Sequence, residues 1–170
     1  MELLIPGLIL VGIMAWASTR IKRNAAAAFD AEGIETDEFE LRKPDGWLSV
    51  AEPKPGLLFD AYTKAFGVGE QENLKLGTAN VRVSDASVED AVKTAVGGAA
   101  ITEDLREVVG DVRYRVLDLE RDEDDIRYRE RVKIGVSEGK IYTLTVRSLT
   151  ETTDEFRRDI ESMIDSFELK

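Results

Sequence analysis

The chain has 170 residues, 43% of them hydrophobic, a net charge of −11, and neither cysteine nor histidine. Disulfides, thiolate nucleophiles, zinc–sulfur sites and histidine-dependent triads are thereby excluded, and with them the commonest general base and transition-metal ligand. An acidic chain of this kind repels phosphate backbones, so nucleic acid is not an expected partner.

Residues 3–19, LLIPGLILVGIMAWAST, carry no charge. That run is near the short end of the roughly 20 apolar residues a membrane helix needs. Trp16, Ser18 and Thr19 suit the membrane interface, and Pro6 falls in the first turns, where a helix tolerates it best. Residues 1–20 therefore read as one transmembrane anchor. Gly7 and Gly12 give it a surface on which a partner helix can approach closely. Ala15-Trp16-Ala17 resembles a signal-peptide cleavage site, but a signal peptide carries its positive charge before the apolar run. Here Arg20, Lys22 and Arg23 follow it. Cationic flanks stay cytoplasmic, which places a single-pass anchor in the cell (inner) membrane with the domain in the cytoplasm. An extracytoplasmic domain is the alternative. Without Glu2 and those three cations the rest holds 20 basic and 33 acidic residues, a net of −13. Such a body stands off anionic lipid.

Asn24 to Glu32 is alanine-rich, and alanine is the best helix former. Residues 21–35 read as a helical stalk or linker that stops at Gly33, and residues 36–170 as one globular domain. Glu38 to Lys43 predicts a strand closed by a Pro44-Asp45-Gly46 turn. Trp47 to Val50 is an aromatic-rich piece, and Leu57 to Thr63 alternates as a strand. Residues 67–77 read as a loop, and Ala79 to Ser84 as a further strand. Ser87 and Asp90 make a capping-box-like start for a helix that ends at Gly97-Gly98. Ile101 to Val109 reads as an irregular strand. A strand from Val112 toward Arg121, an acidic turn at Asp122 to Asp125, and a long strand from Ile126 to Val136 follow. Ser137-Glu138-Gly139-Lys140 is a tight hairpin into a return strand over Ile141 to Val146. Thr152 or Thr153 caps a last helix, whose apolar face is Phe156, Ile160, Met163, Ile164 and Phe167. The sum is an α+β domain, an antiparallel β-sheet with helices packed on it.

This order of elements resembles the PsbP-like family, which includes an extrinsic photosystem II protein and shares an αβα sandwich with Mog-type proteins. The resemblance rests on Lys43-Pro44-Asp45-Gly46-Trp47, Ser87-Val88-Glu89-Asp90-Ala91, a strand preceded by Gly110, and Glu138-Gly139-Lys140-Ile141-Tyr142-Thr143-Leu144. The terminal helix, ending Ile164-Asp165-Ser166-Phe167-Glu168-Leu169, completes it. It covers about residues 36–170. It implies a PsbP-like αβα sandwich and a non-enzymatic docking or stabilising role on a membrane complex. Metal-binding histidines of some relatives have no counterpart here.

No residue pattern points to catalysis, a cofactor or a metal. Asp122 to Asp125 reads as a solvated turn, since no calcium-loop spacing accompanies it. Gly67-Val68-Gly69 is too short for a phosphate loop. The candidate interface residues are Gly7, Gly12 and Trp16 on the anchor, and a basic stripe of Arg113, Arg115, Arg127, Arg129 and Arg131. On paired strands the stripe would make one basic face; cross-strand pairing with Asp or Glu is the favoured reading of these arginines. The expected role is a membrane-anchored accessory subunit or assembly factor, partnered by a membrane protein complex and the lipid bilayer. An independent envelope domain that binds a small ligand is the alternative.

Overall fold

The computed structural model describes residues 27–68 and 71–170. Gly7, Gly12 and Trp16, and the whole anchor of residues 1–20, lie outside them. Among the described residues no helix is long and apolar enough to cross a membrane.

The chain order is β1 (Glu32–Glu35), β2 (Phe39–Lys43), β3 (Trp47–Ser49), β4 (Leu57–Thr63), β5 (Ala65–Val68), β6 (Gln71–Lys75) and β7 (Gly77–Ser84). Helix α1 (Val88–Val96), β8 (Ala100–Val109), β9 (Val112–Glu123), β10 (Ile126–Ser137), β11 (Lys140–Leu149), α2 (Asp154–Asp165) and β12 (Glu168–Leu169) follow. Seven strands form the central antiparallel sheet in the order β3-β4-β7-β11-β10-β9-β8. The α+β architecture expected from the pattern is therefore present, mostly sheet with two helices among the described residues.

Two local signals act as the sequence suggests. The Ser87 hydroxyl accepts the Asp90 N–H at 3.1 Å and donates to its carboxylate at 2.8 Å, so α1 starts on a satisfied cap. The β9–β10 and β10–β11 loops each hold two residues with positive φ, Asp124 with Asp125 and Glu138 with Gly139. Such loops match the twist of long hairpins.

Each face of the sheet is covered. On one, Leu117, Leu119, Val132, Ile134 and Ile141 pack against Val88, Ala91, Val92, Ala95 and Val96 of α1. The larger core lies on the other face, under α2 and a small sheet ordered β1-β2-β12. It includes Phe39, Trp47, Val81, Leu144, Met163 and Phe167, all fully or almost fully buried.

Three expectations need correction. The alanine-rich helix does not run to Gly33: a turn follows Ala27, and Glu32–Glu35 pairs antiparallel with β2. Helix propensity loses there to the ladder that β2 offers. Residues 67–77 are not a loop: β5 and β6 pair as a two-stranded ribbon. The two strands pair with each other, apart from the central sheet. Nor does the last helix continue to Leu169. It ends at Asp165, where the Ser166 hydroxyl donates to Met163 O at 3.0 Å and accepts the Arg42 N–H at 2.9 Å. Phe167 then turns into the core, and Glu168–Leu169 pairs with β2.

Candidate interaction surface

The basic stripe is built by β9 and β10, and their register decides what it can do. Odd-numbered residues of β9 face even-numbered residues of β10. Arg113 and Arg115 thus share the α1 face with Val132 and Ile134. Arg127, Arg129 and Arg131 share the α2 face with Asp122, Glu120 and Asp118. The structure brings the last three together and separates them from the first two, so one continuous basic face does not form.

The α2-face arginines meet acids across the ladder. Arg127 lies 3.2 Å from Asp122, Arg129 3.7 Å from Glu120, and Arg131 3.1 Å from Asp118, with Glu161 of α2 at 3.7 Å. On the other face Arg115 forms a bidentate pair with Asp104 at 2.9 and 2.7 Å. That pair holds the Asp104 carboxyl below its ordinary range. Arg113 makes no ion pair among the described residues. The stripe is a neutralised ladder, each exposed pair worth well under about 1 kcal/mol. Its surface offers alternating charge to a partner rather than a bare cationic patch.

Arg129, Arg131 and Arg157 also line a cleft of about 80 Å³ with Asp118, Ser148 and Glu161, at the start of α2. A drug-sized ligand needs at least about 300 Å³. Between the sheet and α2 the space is filled by Leu144, Val146, Ile160, Met163 and Ile164.

Ionisation of Asp118 is disfavoured, chiefly by burial, which raises its pKa. Arg131 opposes the shift but does not cancel it. Its Nε approaches Asp118 Oδ1 to 3.1 Å, yet neither atom has a well-aligned hydrogen bond. The folded state therefore binds this proton more tightly than the unfolded chain does. The resulting stabilisation is present at low pH and is lost as pH rises through the raised pKa. Compared with Asp118→Asn, the native chain should gain stability as pH falls from neutral toward the ordinary aspartate pKa of about 4. Denaturation midpoints of both proteins across that range check this; a constant or growing deficit at low pH would refute it. Asp104 contributes with the opposite sign, losing stabilisation as pH falls through its lowered pKa.

Four side chains that the sequence pattern did not single out do more structural work than the stripe. Arg121 donates to the Ala95, Val96 and Gly97 carbonyls at 3.1–3.2 Å and pairs with Glu130, closing the end of α1. Arg147 stacks on the Tyr128 ring at 3.7 Å and pairs with Glu123. Lys133, 1% exposed, reaches Glu107 at 2.7 Å and the Ile164 carbonyl at 3.2 Å, 4.6 Å from the Tyr114 ring centre. Lys43, also 1% exposed, donates to the carbonyls of Asp30 and Trp47 at 2.7 Å and of Ala28 at 3.2 Å. The alternation at Arg131-Val132-Lys133-Ile134 puts Lys133 on the side opposite Val132 and Ile134 and gives no local signal of its burial, which comes from α2 lying over that side.

Lys43 gives the surface a second part. Its bonds to the Ala28 and Asp30 carbonyls, and a 2.7 Å bond from Gly46 N–H to Phe29 O, fix the backbone at residues 28–30 against the domain. That segment is where the chain arrives from residues 1–26.

No family model and no curated protein sequence matches the chain. Solved structures do. Cyanobacterial PsbP (CyanoP) from Synechocystis sp. PCC 6803 aligns over 84% of this chain and 94% of its own, with TM-score 0.58 and 15% identity. The chain has the PsbP-like, Mog-type fold. LpqN of Mycobacterium tuberculosis, described as involved in cell envelope biogenesis, aligns over 83% of this chain and 91% of its own, with TM-score 0.55 and 11% identity. The Ran-binding protein Mog1p of Saccharomyces cerevisiae aligns over 83% and 96%, with TM-score 0.52 and 10% identity. At such identities the PsbP-like likeness carries the architecture alone. Among the described residues no group of acids is placed to hold a metal ion.

Proposed function

We propose that the chain is a non-enzymatic, membrane-anchored accessory subunit or assembly factor of a larger membrane protein complex. The observation that carries the reading is the Lys43 clamp at residues 28–30, close behind the uncharged run of residues 3–19. A ligand-binding domain on a leash needs no fixed attachment. A body that must present one surface to a membrane neighbour does. Residues 1–20 then serve as a single-pass anchor in the cell membrane, packing on the partner through Gly7, Gly12 and Trp16. The order of charges supports a cytoplasmic body. The filled space between sheet and α2 leaves a small envelope ligand little room at that place.

The test is a pull-down from mild detergent through a C-terminal tag, read by mass spectrometry. One membrane complex should return in fixed ratio. If the chain returns alone, the accessory role is wrong, and ligand screening of the protein follows.

A further inference from the structure

The two edges of the central sheet differ. One is β3, only three residues long; the other is β8, ten residues long, with nothing paired to its outer side among the described residues. Short edge strands protect against pairing with another chain, whereas a long exposed one invites it. Three of the five large apolar side chains exposed among the described residues lie on β8: Ile101 (48%), Leu105 (47%) and Val108 (66%). After an irregularity between Ile101 and Glu103, the strand pairs without interruption with β9 from Glu103 to Val109. The ladder is therefore regular around Leu105 and Val108, while Ile101 lies at the irregularity.

We propose that β8 is a homodimer interface, pairing antiparallel with β8 of a second copy about a two-fold axis at Leu105. The sequence of the strand selects this register. A two-fold axis perpendicular to the sheet keeps each face with itself, so it must pass through a residue, which then meets its own copy. Centring on Asp104, Arg106 or Glu107 opposes like charges on the axis, which destabilises a strand pair. Centring on Leu105 opposes two leucines and sets Asp104 against Arg106 of the second copy, twice by symmetry. The remaining like pair, Glu103 with Glu107, is relieved because Lys133 Nζ already lies 2.7 Å from Glu107.

Arg106 has a reason to accept that partner. Within one copy it stands opposite Arg115 in the β8–β9 ladder and makes no ion pair among the described residues. Asp104 is the nearby acid, already held by Arg115. A second copy brings another Asp104 to the uncompensated cation. The charge on the edge is thus complementary to itself in one register, although the body as a whole is strongly acidic. This inference is independent of the accessory role, which does not require a dimer.

The chain has no cysteine, so one introduced thiol can form only a symmetric disulfide. Directly opposed residues of an antiparallel pair have Cα atoms about 4.5–5.5 Å apart, within disulfide reach. Leu105→Cys in the full chain, in mild detergent, should give a covalent dimer on mild oxidation. Val108→Cys is at a still more exposed position but lies about 20 Å from its copy in this register, six residues at about 3.3 Å each, and should form no covalent dimer. Arg106→Asp should weaken dimerisation about tenfold, or about 1.4 kcal/mol, and adding Asp104→Arg should restore it. Equal cross-linking of the two cysteine variants would overturn the proposal. So would a native chain that sediments as a monomer, or a charge swap that fails to rescue while the folded spectrum is retained.

Discussion

Trp47→Ala should lower the unfolding free energy by about 3–5 kcal/mol, the usual cost of emptying a buried tryptophan site. Trp47 is fully buried and lies on the Phe156 ring, centroids 5.6 Å apart and planes 2° from parallel. Gly77 lets the two rings settle there: a Cβ at that position would come within 2.6 Å of Trp47 and 2.8 Å of Phe156. The stack joins β3, β7 and α2, so its loss loosens three elements with one cavity. Against a typical total of about 5–15 kcal/mol, this is a large fraction. The indole N–H has no hydrogen-bond partner among the described residues, so Trp47→Phe should recover more than half of the loss. Urea unfolding followed by circular dichroism measures both variants. A loss below about 1 kcal/mol for Trp47→Ala would mean that the stack is not part of the cooperative core.

Much of this fold was written locally. Leu57 to Thr63 alternates because Phe59, Ala61 and Thr63 point into the core, and Ser87 with Asp90 marks a cap without help from distant residues. The edge strand β8 was recognisable only as irregular, since it is exposed and has no buried face to impose a period. Long-range pairing explains the misses. Glu32–Glu35 becomes a strand because β2 lies beside it, and Phe167 leaves the helical period because β2 also takes Glu168–Leu169.

For the arginine stripe the favoured cross-strand pairing is present, and only the single basic face fails, for a different reason. Its spacing is regular, but which face each arginine takes depends on the parity of the β9–β10 register. The two-residue loop at Asp124-Asp125 sets that parity. Reading the acidic run as a two-residue turn, flanked by Glu123 and Ile126 as the last pair, assigns Arg113 and Arg115 to one face and Arg127, Arg129 and Arg131 to the other. The information was local, but it sat in the turn rather than in the stripe. Lys43 and Lys133 were harder to see. Lys43 follows Phe39 and Leu41 on the buried side of β2, where a lysine is unexpected, and Lys133 sits on the side of β10 opposite Val132 and Ile134, buried because a second layer covers that side.

Lys43→Met should separate the two halves of the proposed mechanism, the folded body and its fixed attachment. Methionine keeps most of the apolar stem but supplies no donor to the Ala28, Asp30 and Trp47 carbonyls. Each charge-assisted bond is worth about 1.5–3 kcal/mol while its acceptor stays dry. Ala28 and Asp30 are exposed and regain water, so a net loss of about 2 kcal/mol is expected rather than the full sum. The cost should fall on one place. Amide exchange should accelerate at Asp30 and at Gly46, whose N–H binds Phe29 O, while β7, β10 and β11 stay protected. If fixed attachment matters, Lys43→Met should also lower the yield of a co-purified complex although the domain remains folded. Unchanged exchange at residues 28–32 would remove the clamp from the argument. Faster exchange with full co-purification would leave the clamp as a stabilising contact and show that the partner does not need a body held in one orientation.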